Sequence, residues 1–216
     1  MIDIATEYQS QILRAFWLTI QLALLSGVFS LLFGTILAAM RVGPVPALAR
    51  FGSAYVTIVR NTPLLVVCLL VFTGLPELGI DGPFLLKGVI SVTVYTAPFV
   101  CEALRSGINS VPLGQAEAAR SIGLDFTGAM TQVVLPQAYR ASIPPMVSVL
   151  IAMSKNTSVV AAFGLLEATA RMRDLLNENA DARVQVFLLF ALGYIIIVET
   201  ISAVGLVAEK KAKASR

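Results

Sequence analysis

Four ionisable side chains fall inside long apolar stretches of this 216-residue chain: Arg60, Glu102, Lys155 and Glu199. Each costs at least ~2.5 kcal/mol at a bilayer centre by insertion scales, so each needs a counter-charge, a water-filled cavity or a solute. At 1.5 Å per residue Arg60 and Glu199 both lie roughly 12 to 14 Å from one membrane face and are placed to pair. Glu102 sits close to that face, with Arg105 one turn away. Lys155 lies roughly 21 Å or more into its stretch, and no carboxylate is expected at that depth. Its neighbours Ser154, Asn156, Thr157 and Ser158 supply donors and acceptors of the kind that line a polar cavity. The chemistry within reach is reversible binding of a small charged solute.

Composition sets the elements that must position these groups. Hydrophobic residues make up 57% of the chain and charged residues 13%, against about 25% charged in ordinary globular proteins, so a polytopic membrane protein is expected. The net charge of +3 gathers near segment ends, and no basic patch with interleaved aromatics points to nucleic acid. There is no histidine, and Cys68 and Cys101 both lie in apolar runs, which argues against a zinc site, a histidine-based catalyst and a disulfide scaffold. No Gly-rich loop ending in Gly-Lys-Ser/Thr occurs, so any ATP must be hydrolysed elsewhere. The N-terminus carries acids before Arg14 and leads into an apolar run too long for a signal peptide, and is expected to remain in the mature protein.

The chain reads as one all-α domain, 1–216, with five spans at about 15–40, 51–73, 84–107, 138–166 and 184–208, joined in the middle by a polar loop, 109–136. Residues 167–183 are charged enough to form a short helix on the membrane surface. Prolines 63, 98, 144 and 145 interrupt spans, as is tolerated where protein or water meets the freed carbonyls. Assigning the 41–52 loop, the central loop and the tail to the cytoplasm gathers Arg41, Arg50, Arg105, Arg120, Arg140, Lys210, Lys211, Lys213 and Arg216 there. Only Arg14, Lys87, Arg171, Arg173 and Arg183 remain outside, so the N-terminus is expected outside and the C-terminus inside.

Within the central loop, Ser110 can cap a helix whose first turn holds Pro112. Good helix formers fill 113–122, Gly123 supplies a left-handed terminator, and a second amphipathic segment, 124–134, is expected to stop at Pro136. Ala116, Ala118 and Ala119 leave the first helix thin enough for another backbone to approach. Glu117 and Arg120 form a charged pair at i,i+3.

Glu117-Ala118-Ala119, three residues, Gly123, nine residues, then Val133, any residue, Leu135 and Pro136 resembles the EAA loop of binding-protein-dependent ABC importer permeases. Arg60-Asn61-Thr62-Pro63-Leu64-Leu65 resembles the R-G-T-P-L-L element of polar amino-acid permeases, with Asn61 for a frequent glycine. Glu102 to Ile108 resembles their E-x-x-R-x-G-I run, and Lys155-Asn156-Thr157-Ser158 resembles K-D-T-S, departing at Asn156. Together these variants look most like the permease subunits of glutamate ABC importers.

The resemblance implies a type I importer permease fold in a cell membrane. It implies a coupling helix built on Glu117, Ala118, Ala119, Arg120, Gly123, Leu135 and Pro136 that docks on an ATP-binding subunit. It further implies a second permease chain, the same or homologous, and an external solute-binding protein. ATP and Mg would be bound by the partner ATPase, with no cofactor and no catalysis on this chain. The substrate pathway would involve Arg60, Glu102, Lys155, Asn156 and Thr157, and transport of glutamate or another polar amino acid would proceed by alternating access. A stand-alone secondary transporter or channel subunit would share the intramembrane charges and prolines but would not need the docking helix.

Overall fold

In hydrocarbon every backbone N–H and C=O must be satisfied within its own segment, and helices do this. The computed structural model describes residues 2–214, with side chains described from 4 to 212, so Ser215 and Arg216 of the basic tail lie outside the described residues. Helix α1 (Ile2–Glu7) leads into α2 (Gln9–Val42), whose 34 residues reach about 51 Å, more than a ~30 Å hydrocarbon core. Then come α3 (Pro46–Arg60), α4 (Leu64–Glu77), α5 (Phe84–Asn109), α6 (Leu113–Ser121), α7 (Phe126–Phe163), α8 (Ala168–Glu178) and α9 (Arg183–Ala214). No strand occurs among the described residues.

The apolar stretch read as one span at 51–73 is divided between α3 and α4, which meet at 103°. Pro63 lacks an N–H and disfavours helical backbone at Thr62. The side chains of Asn61 and Thr62 instead turn back to the carbonyls of Thr57 and Ile58, each at 2.9 Å, and close α3. The bent pair begins beside α2, near the contact of Arg41 with Glu102, and ends where Phe72 stacks on Phe163, ring centroids 5.1 Å apart. Taken as one span, it joins α2, α5, α7 and α9 as a fifth stretch long and apolar enough to cross a membrane.

Helix α5 is the centre of the bundle, packed on α2, α3, α4 and α7. Its most apolar window is 61% buried, against 11% for that of α9. Gly34 lets α2 approach closely, since a Cβ there would fall 2.8 Å from the Ala97 carbonyl oxygen. One core cluster joins Leu37, Ala38, Val56, Ala97 and Cys101 near the end that carries α6. Another joins Leu22, Cys68, Phe72, Val92 and Val160 toward the opposite end.

Candidate functional site

The connection between α5 and α7 is built from local backbone chemistry. Ser110 does not cap α6: its hydroxyl donates to Gly107 O at 2.7 Å and its amide to Ser106 O at 3.1 Å, so it closes α5. Pro112, with φ −57° and ψ 135°, precedes α6 without a side-chain cap. At the far end Gly123 takes φ +94°, and the amide of Leu124 reaches Ala119 O at 3.2 Å, the closing bond of a glycine-terminated helix. Asp125 then accepts from the Gly128 amide at 2.7 Å and starts α7. The second segment does not stop at Pro136. A π-helical turn over Met130–Val134 absorbs the proline's missing N–H and its bulk, and the helix runs on.

Helix α6 offers its side chains outward. Leu113 and Ile122 are 82% and 81% exposed, Glu117, Ala118 and Arg120 are exposed, and Ala119 is buried. The expected Glu117–Arg120 pair is not formed, and neither side chain makes an ion pair among the described residues.

On α5, three guanidinium groups converge on Glu102 Oε1: Arg41 at 2.5 Å, Arg105 at 3.6 Å and Arg60 at 3.7 Å. Arg60 thus meets Glu102 and not Glu199, because α3 packs against α5 and turns its last residue there. Its guanidinium also lies 5.6 Å from the centroid of the Phe99 ring. Glu199 is exposed and makes no ion pair among the described residues.

Phe99 in turn borders a 280 Å³ cavity, where Tyr95 and Thr96 of α5 face Ser148, Ala152 and Asn156 of α7. Thr96 Oγ1 is buried there with no hydrogen-bond partner among the described residues. Of the polar string, Ser154, Thr157 and Ser158 spend their hydroxyls on carbonyls of their own helix, at 2.7 to 2.8 Å, and Thr157 is fully buried. Asn156 alone of that string lines the cavity. Lys155 is exposed beside it, and its ammonium has no partner among the described residues. Two larger clefts, of 430 and 560 Å³, are almost wholly apolar.

Residues 30–209 match the family described as binding-protein-dependent transport system inner membrane component. The chain belongs to this family. It is 42% identical over 215 residues to the glutamate transport system permease protein GluC of Corynebacterium efficiens, covering 93% of this chain and 94% of that one. It is 31% identical over 221 residues to the glutamate/aspartate import permease protein GltJ of Escherichia coli, covering 96% and 89%. Among solved structures, the crystal structure of an amino acid ABC transporter with histidines aligns at TM-score 0.88 and 27% identity, over 95% of this chain and 96% of that one. The inward-facing MetNI methionine ABC transporter aligns at 0.77 over 95% and 98%, at 20% identity, and speaks for the fold alone.

For this permease, sequence reasoning located Glu102 and Lys155 but missed two groups. Arg41 was counted as a loop cation, although a helix two residues longer than 15–40 carries it to Glu102. Glu167, read as part of a surface segment, is fully buried. It caps α8 through Ala170 N at 3.0 Å and accepts from Tyr194 Oη at 2.8 Å and Thr19 Oγ1 at 3.2 Å. Thr19 Oγ1 accepts from Ala168 N at 3.0 Å, so one carboxylate ties α2, α8 and α9 together. Burial pushes the Glu167 carboxyl above the usual range, and these hydrogen bonds oppose the rise.

Proposed function

We propose that this permease is one transmembrane half of an ATP-driven importer for glutamate or another polar amino acid, working by alternating access. The observation that carries the proposal is α6, a short helix whose apolar ends and unpaired charges point away from its own chain, held by the Gly123 turn. Such a helix suits docking on an ATP-binding subunit, which holds the ATP and Mg that this chain has no loop to bind. Glu117, Ala118, Ala119 and Arg120 form the docking face. Leu135 and Pro136 continue it into α7, so that closure of the ATPase pair, by moving α6, reaches the wall of the cavity.

Arg60, over the Phe99 ring at the cavity's edge, and Arg41 and Arg105, which share Glu102 with it, outnumber that one carboxylate, and with Lys155 next to Asn156 this supports an anionic solute. The names of the relatives support glutamate. Lys155 holds the solute carboxylate, Asn156 lines the cavity, Arg60 and Glu102 set the field at its edge, and Thr157 fixes the backbone that carries Lys155. A second permease chain completes the path and an external solute-binding protein delivers the substrate. The α6 end faces the cytoplasm and the Glu167 end the outside, as the cation distribution supports.

Liposomes holding the permease, its ATPase and its binding protein should accumulate labelled glutamate only with ATP and only with all three. Uptake without the ATPase would sink the proposal. Single cysteines at Ser10 and Asn179 should react with an impermeant thiol reagent from outside, and one at Ser215 should not.

A further inference from the structure

Helices α2, α3 and α5 enclose the 560 Å³ apolar cleft, and its shape restricts what can lie in it. Phe29, Phe33 and Met40 line it from α2 and Ile90 from α5. Phe51 and Tyr55 of α3 line the part nearest the end of α2, where the neighbouring Gly52 lies against Arg41. From Met40 to Phe29 the cleft follows α2 for about 16 Å, close to half of a ~30 Å hydrocarbon core. Arg41 ends the apolar run of α2, so the cleft covers one leaflet, the one at the α6 end.

Spread over that length, 560 Å³ leaves a mean cross-section of about 35 Å², well under the roughly 80 Å² of a helix 10 Å across. A helix of a partner protein is therefore too thick to seat in it. A polar solute finds little to bind: of the two hydroxyls in the walls, Tyr55 Oη already donates to Val94 O at 3.0 Å, and Thr93 Oγ1 is buried out of a ligand's reach. Exposed apolar side chains continue on all three helices, at Leu32, Ile58 and Leu86, so the cleft opens on lipid.

We propose that this cleft binds one acyl chain of a membrane phospholipid, drawn from the leaflet at the α6 end and held as part of the fold. Bulk lipid is as apolar as the cleft, so what favours a chain here is close packing on three sides, which an empty cleft forfeits. The chain also steadies a working part. Tyr55 stands five residues before Arg60, which meets Glu102 and the Phe99 ring. A chain wedged between α2 and this stretch of α3 supports the arm that delivers Arg60 there.

The full-length permease with its native partners would be placed in vesicles of dioleoylphosphatidylcholine containing a trace of the same lipid with a diazirine in mid-chain, then illuminated. Label should concentrate on residues 29–40 and 89–97, about tenfold above that on Leu24, which is 63% exposed on the face of α2 opposite Phe33. Ile90→Trp and Ile36→Trp, which fill the cleft from opposite walls, should each remove that excess, and Leu24→Trp should leave it. Equal labelling of both faces of α2 would reduce the cleft to ordinary lipid contact and overturn the site. A cleft that takes no label would overturn it in favour of cover by protein. The support of α3 has its own readout. Stripped of lipid in detergent, the wild type should melt lower and recover when dioleoylphosphatidylcholine is added, while Ile90→Trp and Ile36→Trp should melt alike with and without it. Equal lipid dependence of wild type and variants would overturn that role.

Discussion

Lys87 and Lys155 sit in the same bundle under opposite conditions. Lys87 is nearly buried, 2.5 Å from Asp81, with its ammonium 5.4 and 6.0 Å from the ring centroids of Phe84 and Phe72. Close to the same end of the bundle, the Glu167 carboxylate meets donors from α8, α9 and α2. Lys155, Glu199, Glu117 and Arg120 have no such company among the described residues. The chain completes the polar groups at Lys87 and Glu167 within itself, so the open charges on α6 and α7 are where the proposed ATPase and solute would meet it.

The sharpest way to break this contrast is to neutralise Lys155 alone. Lys155→Gln keeps most of the side chain's length and polarity but not its charge, so assembly and basal ATP hydrolysis should persist. Uptake should collapse more than a hundredfold, since a desolvated substrate carboxylate left unpaired costs about 3 to 5 kcal/mol. Normal uptake would show that Lys155 does not hold the solute.

In the closed region the expected loss is of stability, not transport chemistry. Glu167→Ala leaves the Tyr194 and Thr19 hydroxyls and the Ala170 amide without their acceptor, which should destabilise the purified permease by about 3 kcal/mol. Glu167→Gln should recover part of the melting temperature. If Glu167→Ala melts with the wild type, the network is not holding α8 to the bundle.

Gly123→Val should cost about 1 to 2 kcal/mol locally, because φ +94° crowds a β-branched side chain. The chain should insert normally, while ATPase co-purification and uptake fall as the α6 surface shifts. Full coupling in this variant would show that α6 docks without that turn.

The smallest effect belongs to Asp81. Lys87 and the Gly82 amide hold its carboxyl below the usual carboxylate range, so the pair's contribution is present above the unfolded value of about 3.9 and is lost as pH falls through the lower folded value. Asp81→Asn should leave melting at neutral pH almost unchanged and remove only the small loss seen on acidification. A large shift at neutral pH would mean that the pair bears more of the fold than the exposure of Asp81 allows.

Much of this was legible in the sequence, and the part that was not shares one cause. Charges are so scarce in the apolar stretches that Arg60, Glu102, Lys155 and Glu199 stand out, and Gly123 announces its turn. Counting residues gives depth, which is one-dimensional. Pairing also depends on azimuth and on which helices touch, so Arg60 was assigned to Glu199 when the packing of α3 on α5 delivers it to Glu102. The π-helical turn before Pro136 and the burial of Glu167 likewise come from tertiary fit, which overrides the local signals of a proline and of a charged segment.

The 103° break between α3 and α4 builds one crossing out of two short arms. The two arms hold 15 and 14 residues, each short of the ~20 that a helix needs to sit stably across a bilayer alone. The break itself leaves little backbone open, because Asn61 and Thr62 bond back to α3 and the amides of Val66 and Val67 meet Pro63 O. Neither arm is long enough to be held across the bilayer by its own apolar length, so this crossing owes its place to the packing of both arms on α5 and of α3 on α2.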